Sequence, residues 1–97
     1  MKPADREEWI LNYLKVRSAN GTRYFVDMVH SSFVDDYAEA TEAKLGYVMI
    51  GAHKCPQLGE DLSRMFRKDL LRRHVSGIYG MGKYSGFPTW VYSYSLP

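Results

Sequence analysis

The chain lacks most of the features that announce an activity. It has one cysteine, Cys55, so no intrachain disulfide can form, and such thiol usage fits a reducing cytoplasm. No apolar run reaches the roughly 18 residues that a transmembrane helix needs, so no membrane partner is expected. Met1 to Glu8 is polar and carries acids, the wrong chemistry for a signal or transit peptide. Internal repeats, low-complexity segments and linkers are missing, and the 97 residues read as one domain, 1–97. Recognisable catalytic spacings are missing as well. Gly80-Met-Gly82-Lys83 falls short of a phosphate loop, which spaces its glycines more widely and follows its lysine with Ser or Thr, where Tyr84 stands here. His53 and Cys55 are close in sequence, but a closed zinc site needs further ligands, and only His30 and His74 remain among the histidines. Nor does any acid accompany that pair to orient a nucleophile and base. The expectation is a protein that is not an enzyme and needs no metal or cofactor.

What is present is a globular composition with a polarised charge. Apolar residues make up 45% of the chain and aromatics 14%, enough buriable surface to drive folding. Residues 1–50 carry six Lys/Arg and eight Asp/Glu, a balance of −2, whereas residues 51–97 carry seven and three, a balance of +4. The second half is therefore the half suited to a polyanion.

Periodicity predicts three helices and a hairpin, an α+β class. Pro3 to about Arg17 has Pro3 at a first helical position, acids early, bases late, and Trp9, Ile10, Tyr13 and Leu14 on one stripe. Thr22 to about Ala43 predicts a second helix, long or in two pieces, with Val26, Val29, Phe33, Tyr37 and Ala40 on one face and Ser31-Ser32 as its weak point. Its outer face carries Asp35, Asp36, Glu39 and Glu42, which would repel phosphate. Tyr47 to Ile50 predicts a short strand. Pro56 to about Leu71 predicts the third helix, with Leu58, Leu62, Met65 and Phe66 packed inward and Gln57, Glu60, Arg64, Arg67 and Lys68 facing out. His74–Tyr79 and Thr89–Leu96 predict the two strands of a glycine-tipped hairpin, the second alternating Trp90, Tyr92, Tyr94 and Leu96 on the face that packs on the helices.

The run from Pro56 through Leu58, Leu62-Ser63-Arg64 and Leu70-Leu71 to Arg72-Arg73, with a hairpin directly after it, resembles the recognition helix and wing of winged helix-turn-helix regulators. The likeness covers residues 56–96. The ending from Gly86 to Tyr94 is also similar to that of short uncharacterised proteins of phage and prophage genomes. The resemblance implies a three-helix winged helix-turn-helix with a C-terminal β-hairpin wing, with which the short strand from Tyr47 to Ile50 would pair, as winged domains often add such a strand. It implies a cytoplasmic regulator of transcription that binds double-stranded DNA as a dimer on a two-fold site. It assigns Arg64 and Arg67 to guanine edges and Gln57 to adenine. Ser63, Lys68, Arg72 and Arg73 go to phosphates, and Lys83 and Tyr84 to the wing tip.

Plainer readings of the same residues stand beside these. Glu60 and Arg64 are spaced for a surface ion pair that Lys68 extends, and Arg72 and Arg73 suit the negative end of a helix dipole. The acids on the second and third helices and the small net charge, +2, equally suit a winged protein-interaction module, such as a phage-encoded inhibitor that docks on a host or phage protein.

Overall fold

Short strands separate the three helices, one before the second and two before the third, and a hairpin follows the last helix. The computed structural model describes residues 1–18, 26–27, 31–49, 52–77 and 90–97. In chain order the elements are α1 (Pro3–Ser18), β1 (Val26–Asp27), α2 (Ser31–Thr41), β2 (Gly46–Met49), β3 (Ala52–Lys54), α3 (Pro56–Arg67), β4 (Arg72–Gly77) and β5 (Trp90–Ser95). The strands form two antiparallel sheets, one of order β1-β5-β4 and one of β2 with β3.

Three expectations are corrected. The second helix starts at Ser31, not Thr22, and Val26 and Asp27 lie in a strand opposite Tyr94 and Ser93. The serine pair marks the helix start because serine favours helix ends over interiors, and β-branched Val26 finds a ladder on β5 instead. The strand begun by Tyr47 does not join the C-terminal hairpin. It folds back on β3, pairing Gly46 with Lys54 and Tyr47 with His53. The third helix stops at Arg67 rather than near Leu71, because Asp69 takes a left-handed conformation at φ 61°.

That stop has a defined hydrogen-bond pattern. The Leu70 amide donates to the Met65 carbonyl at 2.9 Å and the Asp69 amide to the Phe66 carbonyl at 3.0 Å, which satisfies carbonyls the helix end would orphan. The end of α2 is built alike, with Glu42 at φ 59° and the Ala43 amide donating to Ala38 at 3.2 Å. At the other end of α3, Pro56 opens the helix and Cys55 is the cap position, but its thiol makes no capping bond and is buried instead.

The core lies where the three helices meet the Tyr94 face of β5. Ile10 and Leu14 come from α1, Phe33, Val34 and Tyr37 from α2, and Leu58, Leu62 and Met65 from α3, all fully buried. Phe66, Tyr92 and Leu96 pack on its margin. Trp9 and Tyr13 join α1 to α2 through rings: Trp9 stacks on Tyr13 at 5.1 Å, and Tyr13 meets Phe33 at 4.9 Å.

Both left-handed stops carry residues with a Cβ, where glycine would be free of strain. Glu42→Gly and Asp69→Gly should each stabilise the fold by up to about 1 kcal/mol in urea unfolding. The gain should be larger at Glu42, because aspartate tolerates this conformation better than glutamate.

Candidate nucleic-acid interface

The side chains of α3 divide into three directions. Leu58, Asp61, Leu62 and Met65 point into the core. Pro56, Glu60, Ser63 and Arg67, spaced by four, three and four, follow the line facing away from it. Gln57, Arg64 and Lys68 lie on the flank toward α1 and α2, where all three are engaged.

The engagement centres on Asp61, whose side chain is wholly buried. Arg6 of α1 binds it with both ends of its fork, at 2.8 and 3.1 Å. Arg64 donates to it at 2.7 Å, and the Tyr37 hydroxyl of α2 donates a hydrogen bond to its second oxygen. Gln57 in turn donates to the Tyr37 oxygen at 3.0 Å. Arg64 also reaches Glu7 of α1 at 2.7 Å, and Lys68 meets the same carboxylate at 3.2 Å. Burial works to raise the pKa of Asp61, but the hydrogen bonds from Arg6, Tyr37 and Arg64 outweigh it and hold the carboxyl below its ordinary value. Glu7 is held low by the hydrogen bond from Arg64, against burial and with help from Lys68. Burial and the bond to Asp61 push Tyr37 well above the usual phenol range.

On the other side of α3 a groove of about 720 Å³ runs between the helix and β5. Leu62, Tyr92 and Tyr94 form its apolar part, and Glu60, Ser63, Arg64 and Arg67 its polar part. Arg67 is exposed and makes no ion pair or hydrogen bond among the described residues. Arg73 lies over two rings, its Cζ 4.0 Å from the Phe66 centroid and 4.1 Å from that of Tyr92, and it too has no carboxylate partner among the described residues. Arg72 is exposed but adjacent to Arg73 in the strand, so it points from the opposite face of the sheet.

The expected contact residues thus separate. Ser63 and Arg67 line the groove, whereas Arg73 rests on Tyr92, one of the groove's walls, from a separate cleft that it lines with Asp69, Arg72 and Pro97. Arg64 borders the groove but is bound to carboxylates, and Gln57 and Lys68 bond Tyr37 and Glu7. Lys83 and Tyr84 lie outside the described residues. The surface pair expected between Glu60 and Arg64 does not form, because Glu7 and Asp61 take the guanidinium. Asp61, Glu7 and Arg6 were not singled out from the sequence. Asp61 had a readable signal, since it lies three residues after Leu58 and four before Met65, on the apolar stripe itself.

No described helix is long and apolar enough to cross a membrane, and no cluster of metal-ligating side chains occurs among the described residues. No family model, curated protein or solved structure matches the chain.

The carboxylate network carries a pH signature. Asp61 and Glu7 have lowered folded-state pKa values, so their contribution is present at neutral pH and is lost as pH falls below about 4 through those values. Arg64→Ala should raise the midpoint of acid unfolding and cost about 2 kcal/mol at pH 7. Glu60→Ala should leave both nearly unchanged, as circular dichroism followed against pH and urea will show.

Proposed function

We propose that the protein is a winged-helix domain that binds double-stranded DNA, as a transcriptional regulator of phage or prophage type. The element order supports this reading. A hairpin follows α3 directly, and β1 adds a strand to its second member, as winged domains add a strand to the wing. The observation that carries the reading furthest is that Arg67 on the helix and Arg73 on the hairpin each lack an ion-pair partner among the described residues, Arg67 lining the groove and Arg73 resting on Tyr92, one of its walls.

On this reading Arg67 is the helix residue that reads a base edge. Ser63 and Arg73 contact phosphate, and the resemblance gives Lys83 and Tyr84 the wing tip. Arg64, Lys68 and Gln57 act indirectly, by holding α3 against α1 and α2. Few cations per domain make a dimer on a two-fold site the productive form, and a cytoplasmic setting accommodates it.

One observation favours a second reading, a winged module that docks on a host or phage protein. Glu60 shares the outward line of α3 with Arg67 and offsets its charge. Electrophoretic titration of random duplex at low salt separates the two: retention at micromolar protein supports DNA binding, and no retention supports the protein partner. With a selected sequence, Arg67→Ala should cost about 1–3 kcal/mol and relax preference at one base position. Lys83→Ala should weaken all sequences alike. Uniform loss for both variants would remove the assigned roles.

A further inference from the structure

We infer that Phe66 and Tyr92 are positioning residues that preset Arg73 as a phosphate-binding fork at the junction of α3 and the hairpin; the inference rests on the DNA-binding reading. Two modes of holding an arginine stand apart among the described residues, and Arg17 combines them, over the Tyr13 ring and beside Asp36. Arg6 and Arg64 are fixed by carboxylates, which use their N–H groups and offset their charge. Arg73 is fixed by two rings at 4.0 and 4.1 Å. Rings hold the face of a guanidinium and leave the donors along its edge unspent, with the charge intact. None of those donors has a hydrogen-bond partner among the described residues.

The two rings come from different elements, Phe66 from the last turn of α3 and Tyr92 from β5, and both rest on the core. Arg73 itself pairs with Tyr94 in the β4–β5 ladder, which fixes its backbone. A side chain this constrained gives up little rotamer freedom on binding, so its contact with a phosphate is strengthened by preorganisation rather than by added charge. Planar bidentate recognition of a phosphate is the chemistry the free edge offers. Because such a contact carries no base information, it acts on every sequence equally.

The test measures affinity for a random duplex across a salt series. Arg73→Ala should lower affinity about tenfold and reduce the slope of log K against log salt by about one. Arg73→Lys should restore less than half of the lost affinity on a logarithmic scale, since an ammonium keeps the charge but not the fork. Tyr92→Leu should lower affinity in the same direction, Tyr92→Phe should retain it, and Tyr92→Leu combined with Arg73→Ala should cost no more than Arg73→Ala alone. Thermal unfolding of each variant separates loss of the fork from loss of the fold. Full rescue by lysine, or additive losses in the double variant, overturns the positioning role while leaving DNA binding in place. If the unaltered protein does not retain duplex at all, the DNA reading fails and this inference with it.

Discussion

The burial of one carboxylate sets the geometry of everything around α3. Asp61 is sealed from water, and an unpaired charge there would be prohibitive. It is tolerated because each neighbouring helix supplies a donor: Arg6 from α1, Tyr37 from α2 and Arg64 from α3 itself. A buried ion network of this kind adds little net stability over an apolar filling, but removing a donor leaves the buried carboxylate with fewer hydrogen bonds to offset its lost hydration. Its effect is on specificity of arrangement. With Asp61 turned inward, the rotation of α3 about its axis is fixed. Arg64, three residues on, is then carried to Glu7, and Arg67, three further, to the outer face.

The same rotation sorts the basic residues by duty. Arg64 and Lys68 are paired with Glu7 and Asp61, which Arg6 also binds, so three cations share two carboxylates and most of the positive charge at α3 is offset within the fold. What is left is Arg67 at the groove, with Glu60 on the outward line as a counterweight, and Arg73 on the hairpin, resting on Tyr92 in a cleft that Asp69 also lines. That leaves a smaller electrostatic footprint than the three outward bases Arg64, Arg67 and Lys68 suggested. For the proposed DNA binding this shifts weight from the strength of one domain to the pairing of two.

Much of this was legible in the residues, and the part that was not has a common cause. Period-two alternation in Tyr92, Tyr94 and Leu96 and the apolar stripe of Leu58, Leu62 and Met65 report contacts made by whole faces, and the structure has both. The break at Ser31-Ser32 was visible too, but not that Val26 and Asp27 would join β5, since strand pairing depends on a partner more than sixty residues away. The fate of Arg64 was hidden for the same reason. Glu60 is four residues away and Glu7 fifty-seven, and local spacing gives no hint that the distant carboxylate wins. It wins because Glu7 is buried beside a sealed Asp61, where the two bonds are shielded from water, whereas a pair with exposed Glu60 would be worth little.

The contrast between the two kinds of held arginine has a physical consequence for the surface. A guanidinium paired with carboxylates contributes almost no field beyond its own neighbourhood, whatever its exposure. One resting on aromatic rings keeps its monopole, because a ring quadrupole falls off too steeply to cancel it at a distance. Arg73, only partly exposed, therefore keeps its charge over its own cleft, whereas Arg64, which borders the groove, is paired with Glu7 and Asp61. Exposure is thus a poor guide to which cations on this protein a polyanion would meet. Neutralisation by neighbours is the better one, and it selects the base of the hairpin together with the end of α3.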